Sequence, residues 1–123
     1  MKVERIVFDY PIWAEAVRLT EGWDVGLFGG SSTHVGAVTL AEPDGTEQTV
    51  LRWKHKEEQV TRQWALRLAA LTEEPVSVRC GIHYDNATKE QLSVIISACE
   101  EMLDEISGMI GSCSKNGQAG ITS

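Results

Sequence analysis

The sequence predicts an α+β fold, a sheet of about six mainly antiparallel strands with two amphipathic helices packed on one face. Three observations predict it. Residues 3–53 read as short β-rich segments separated by glycine, proline and Asp-Gly punctuation. Two later stretches, 56–72 and 88–110, switch to a helical period. Between them, Val76, Val78, Cys80 and Ile82 alternate with Ser77, Arg79, Gly81 and His83, which is the period of a half-buried strand. Strands that bury one face and helices that bury one stripe are stable only when packed against each other.

Taken in order, residues 3–8 form the first extended segment, and residues 12–19 the second. Trp23, Val25 and Leu27 share one face of a third strand that Gly29-Gly30 interrupts. Residues 35–40 and 48–53 flank Pro43-Asp44-Gly45, a hairpin signal. Five strands joined this closely imply an antiparallel meander. The first helix carries Val60, Trp64, Leu68 and Leu71 along one stripe. In the second, Leu92, Ile95, Cys99, Met102, Leu103, Ile106 and Ile110 oppose Glu90, Glu101 and Asp104, and Thr88 with Gln91 fits a capping box. Residues 111–123 are small, polar and aperiodic, so the reading is one domain over 1–110 and a flexible tail.

With 123 residues there is room for one continuous core. Eighteen acidic against eleven basic side chains give a formal charge of -7, a mean field that repels nucleic acid and anionic membrane surfaces. No apolar run approaches the roughly 18 residues needed to span a bilayer, and the acidic start is unlike a signal peptide, so a cytoplasmic location is expected. Cys80, Cys99 and Cys113 lack Cys-x-x-Cys spacing, and the first two read as small apolar core residues. Trp13, Trp23 and Trp53 are expected on the sheet face away from the helices, where a second copy of the chain would cover them.

Three segments, each bearing one of the three histidines, are candidates for chemistry. Gly29, Gly30, Ser31 and Ser32 lead into His34; paired glycines let successive N–H groups converge on an anion, and the hydroxyls add donors. A plain glycine-rich hairpin accounts for the same residues. Lys54, His55 and Lys56 follow Trp53 in the only basic cluster of an acidic chain, suited to a phosphate or to a solvated strand edge. His83, Asp85 and Asn86 leave the alternating strand and enter the second helix. Asp85 is placed to orient an imidazole or a ligand hydroxyl, and Asn86 to touch a ligand or cap the helix. No nucleophile elbow and no His-Glu-x-x-His is present; three histidines leave zinc ligation as a further option.

Together, Gly29-Gly30 with Thr33-His34-Val35-Gly36-Ala37, His55-Lys56-Glu57, and the run from Gly81-Ile82-His83-Tyr84-Asp85-Asn86 to Glu90 resemble the prenylated-flavin chaperone family, also described as the D subunit of gallate or protocatechuate decarboxylases. The resemblance covers roughly residues 20–105, and its most specific part is the third segment. It differs in the Ser31-Ser32-Thr33 approach to His34 and in Lys54 before His55. The resemblance implies a β-sandwich-like sheet with two helices, as in proteasome assembly chaperones, often paired as a homodimer. It implies a non-catalytic protein that binds prenylated flavin mononucleotide, or FMN, and delivers it to a decarboxylase that uses it. The alternatives are a protein-only assembly chaperone and a histidine-ligated metal enzyme. A cofactor carrier needs an apolar or aromatic platform for the ring and N–H groups or cations for the phosphate, and these segments offer both.

Overall fold

The structure, a computed structural model, describes the backbone of residues 1–52 and 57–121 and side chains as far as residue 112. It contains β1 (Lys2–Val7), β2 (Tyr10–Arg18), β3 (Trp23–Gly30), β4 (Ser32–Ala41), β5 (Glu47–Leu51), α1 (Glu58–Thr72), β6 (Val76–His83) and α2 (Lys89–Ile121). The strands form one six-stranded sheet with both helices on the same side, the α+β architecture that the periodicities predict. No helix among the described residues is long and apolar enough to cross a membrane.

Strand order corrects the meander. The sheet runs β1-β2-β3-β6-β4-β5, so β6 lies between β3 and β4, parallel to the first and antiparallel to the second. The reason lies in Gly29-Gly30. At φ 91°, Gly30 takes a left-handed conformation, and a Cβ there would collide with the His83 carbonyl. Glycine lets the chain bend around the end of β6 within one residue. Gly30 and Ser32 therefore both pair with His83, one from each side.

The first hairpin has no Asn-Gly or Asp-Gly signal. Phe8 and Asp9 adopt positive φ, 49° and 69°, and bring Val7 opposite Tyr10. The Pro43-Asp44-Gly45 turn forms as predicted, with the Gly45 N–H donating to the Glu42 carbonyl at 3.0 Å.

The core lies between sheet and helices. Val25, Leu27, Val76 and Val78 in the sheet meet Trp64, Leu68, Met102, Leu103 and Ile106 from the helices, all fully buried or nearly so. Thr39, completely buried, hydrogen-bonds both Thr49 and Thr61 at 2.8 Å, tying β5 and α1 to β4. The α1 stripe is centred on Thr61, Trp64, Leu68 and Thr72 rather than on Leu71, which is exposed. Thr88 and Gln91 form the capping box reciprocally, at 2.9 and 3.1 Å. The α2 backbone is helical to Ile121, past residue 110 where the apolar stripe ends.

Trp23 is a second correction. At 2% exposure it belongs to the core beneath the helices, because it shares the inward parity of Val25 and Leu27. Trp13 does face away from the helices, packed on its cross-strand partner Phe28 with ring centroids 6.4 Å apart. Trp53 lies outside the described residues. The open face also presents Ile6 and Val50, which are 68% and 73% exposed, and Leu40.

Candidate functional site

The crossing of the chain around β6 assembles the site. Ser31 donates its N–H to the His83 carbonyl at 2.8 Å, and its hydroxyl reaches the same oxygen at 3.2 Å. The Asp85 N–H in turn donates to Ser31 Oγ at 3.1 Å. These bonds lock the β3–β4 connection to the exit of β6. The paired glycines thus shape the sheet, and the Ser31 N–H is engaged within it.

His34 sits in an irregular stretch of β4, where the register with β6 shifts between Thr33 and Ala37. Gly81 makes that irregularity possible, since a Cβ there would collide with the His34 carbonyl. The bulge brings the His34 ring to the His83 ring, edge to face with centroids 6.1 Å apart. His34 Nε2 donates to Glu57 Oε1 at 2.9 Å, and His83 Nε2 donates to Asp85 Oδ1 at 2.9 Å. A carboxylate only accepts, so each of these ring nitrogens carries its hydrogen.

Of the expected residues, the structure brings together Gly29, Gly30, Ser31, Ser32, His34, His83 and Asp85 at the β6 end of the sheet. Asn86, at φ 55°, turns the chain between Asp85 and the Thr88 cap, and the capping itself is done by Thr88. Lys54, His55 and Lys56 lie outside the described residues. No cluster of three or more His, Cys, Asp or Glu side chains able to hold a metal occurs among the described residues.

Sequence reasoning assigned no role to Glu57. It stands at the N-cap of α1 but makes no side-chain cap bond; its carboxylate lies over Gly36 and turns to His34 instead. Its second oxygen, Oε2, is buried without a partner among the described residues. Only the small residue at 36 hints at this close approach.

Beside the cluster, a cleft of about 430 Å³ opens between α1, α2 and β6. Val60, Ile82, Leu92, Ile95 and Ile96 give it apolar walls, Cys80 and Cys99 contribute thiols, and Glu57 and His83 stand where it meets the polar cluster. Burial pushes both thiols up, Cys99 to about 12, so they present neutral S–H groups. Tyr84 also lines the cleft; its hydroxyl donates to the Val7 carbonyl at 2.8 Å, and partial burial raises its pKa. Helical spacing marked Val60, Leu92 and Ile95 as core and strand alternation marked Ile82, while Ile96 fell outside both patterns; nothing in the sequence separates a stripe that lines a cleft from one that fills a core.

A sheet with helices on one side, polar side chains gathered at a strand end, and an apolar cleft beside them are the arrangement of a binding site. The chain belongs to the prenylated flavin chaperone LpdD-like domain family, whose model matches residues 7–111. Its role is that of a chaperone and is non-enzymatic. Among solved structures, a chaperone complex for yeast 20S proteasome assembly is similar at 12% identity and a TM-score of 0.50, over 88% of this chain and 95% of that one. That likeness concerns the fold. No curated protein matches the chain in sequence.

Proposed function

We propose that the protein binds prenylated flavin mononucleotide without turnover and hands it to a flavin-dependent decarboxylase of the gallate or protocatechuate type. The observation that carries this reading is the convergence of His34 and His83 beside an apolar cleft, in a chain of the prenylated-flavin chaperone family. The residues fit such a group. The cleft volume falls within the ordinary range for ligand sites, about 300–1,000 Å³, and combines apolar walls with a few polar groups at one end. The buried Glu57 oxygen, without a partner among the described residues, is an acceptor in want of a donor.

In this reading Gly29, Gly30, Ser31, Ser32, His34, His83, Asp85 and Asn86 border the cofactor. For its phosphate the chain offers Gly29 to Ser32 or the basic run Lys54 to Lys56, which immediately precedes Glu57 in the sequence. Those cations offset the repulsion that an acidic protein exerts on a phosphate. The open sheet face with Ile6, Trp13 and Val50 serves a homodimer. The absorption spectrum of protein purified from cells that make prenylated flavin tests the reading. A flavin spectrum near one equivalent per chain supports it. Colourless protein from those cells, which also stays colourless when incubated with the cofactor, favours the protein-only assembly chaperone.

A further inference from the structure

We infer that the cleft between α1, α2 and β6 seats the prenyl-bearing side of the flavin ring system, while Glu57 Oε2, where the cleft meets the histidine cluster, accepts a hydrogen bond from the N–H of the flavin's pyrimidine ring, which lies away from the prenyl group. The inference rests on the flavin-binding reading and extends it by assigning the subsite that tells a prenylated flavin from an unmodified one.

Two independent observations point there. The first is apolar surface left open. Leu92 and Ile96 lie on the cleft with 47% and 50% of their surfaces exposed, although they border Ile95 and Cys99, which are buried. The prenyl modification adds a hydrocarbon ring to the flavin, and aliphatic walls favour that addition. The neutral thiols of Cys80 and Cys99 give the floor of the cleft no competing charge.

The second is the Glu57 carboxylate. One oxygen holds His34 at 2.9 Å, and the other is buried with no donor among the described residues. A buried acceptor left unsatisfied is costly, so a ligand that supplies an N–H there gains affinity. The isoalloxazine pyrimidine carries such an N–H. By contrast, the hollow over Trp13 and Phe28 beside His34, about 380 Å³, offers aromatic rings but no unpartnered buried polar group among the described residues. Glu57 and His83 belong both to the cleft and to the histidine cluster, so one ligand spans the two.

The test is an anaerobic titration of the full chain with prenylated FMN and with FMN, repeated on Ile96→Glu, Leu92→Glu and Ile96→Leu. The half-exposed positions tolerate charge without loss of fold, which a thermal melt verifies. The expected result is tighter binding of prenylated FMN than of FMN by wild type, at least a tenfold loss of prenylated FMN affinity in Ile96→Glu and Leu92→Glu, and near-wild-type affinity in Ile96→Leu. Hydrogen exchange on the wild type, which depends on no variant, should show ligand protection at Gln59, Val60 and the first turns of α2. Unchanged affinity in both glutamate variants, or no protection in α2 with the ligand bound, overturns the cleft and leaves the flavin-binding reading standing. Absence of prenylated FMN binding by wild type overturns both.

Discussion

The imidazoles of His34 and His83 meet edge to face 6.1 Å apart although they stand on β4 and β6, because Gly81 admits the His34 carbonyl and Gly30 admits that of His83. Each ring is then held by a carboxylate, Glu57 for one and Asp85 for the other. The site is a product of how the chain passes around one strand.

Replacing Gly30 by Ala should therefore damage fold and site together. The left-handed backbone and the clash with the His83 carbonyl act in the same direction, for a loss of about 1–3 kcal/mol or more. Urea denaturation measures it; a change within 0.5 kcal/mol would show that the strand crossing is relaxed.

Thr39→Val removes the hydroxyl shared by Thr49 and Thr61 at a fully buried position. The Thr61 hydroxyl keeps its bond to the Glu58 carbonyl, so the expected cost is about 1–2 kcal/mol rather than more. The same denaturation experiment reads it.

Thr88→Ala opens the capping box at the start of α2 and should cost about 0.5–2 kcal/mol. Faster amide exchange at Gln91, whose N–H the Thr88 hydroxyl accepts, localises the effect to that turn.

Alkaline pH should weaken the fold through Cys99. With its folded pKa pushed up to about 12 by burial, the thiol stays protonated in the native protein after the unfolded chain has begun to ionise. The unfolded state then binds fewer protons, so the stability contribution is fully present below the ordinary thiol value and is lost as pH climbs from there toward 12. Stability measured across that window should fall in wild type and fall less in Cys99→Ala. At pH 8, site-resolved labelling should find Cys80 and Cys99 nearly inert in the native protein.

Much of the fold was legible because it rests on local periodicity. The alternation of Val76, Val78, Cys80 and Ile82, the stripe from Ile95 to Ile110 and the Thr88-Gln91 cap each depend on residues near one another. Strand order did not, since the insertion of β6 is decided by a close approach between residues more than fifty positions apart. The inward placement of Trp23 followed from its parity with Val25 once the covered face was known. In the site, the pairing of His83 with Asp85 is a contact two residues apart and was foreseeable, whereas that of His34 with Glu57 depends on how α1 packs over Gly36. The cleft between the helices was hidden because aliphatic residues at helical spacing read as core.

The most direct measurement is the anaerobic affinity for prenylated FMN of wild type and of His83→Ala, in which the imidazole shared by the histidine cluster and the cleft is removed. Wild type is predicted to bind at or below tens of micromolar, and the variant roughly 10- to 150-fold more weakly, the range for loss of a hydrogen bond to a charged group. Wild-type protein that shows no binding at tens of micromolar, with the cofactor kept reduced and free of oxygen, would contradict the account.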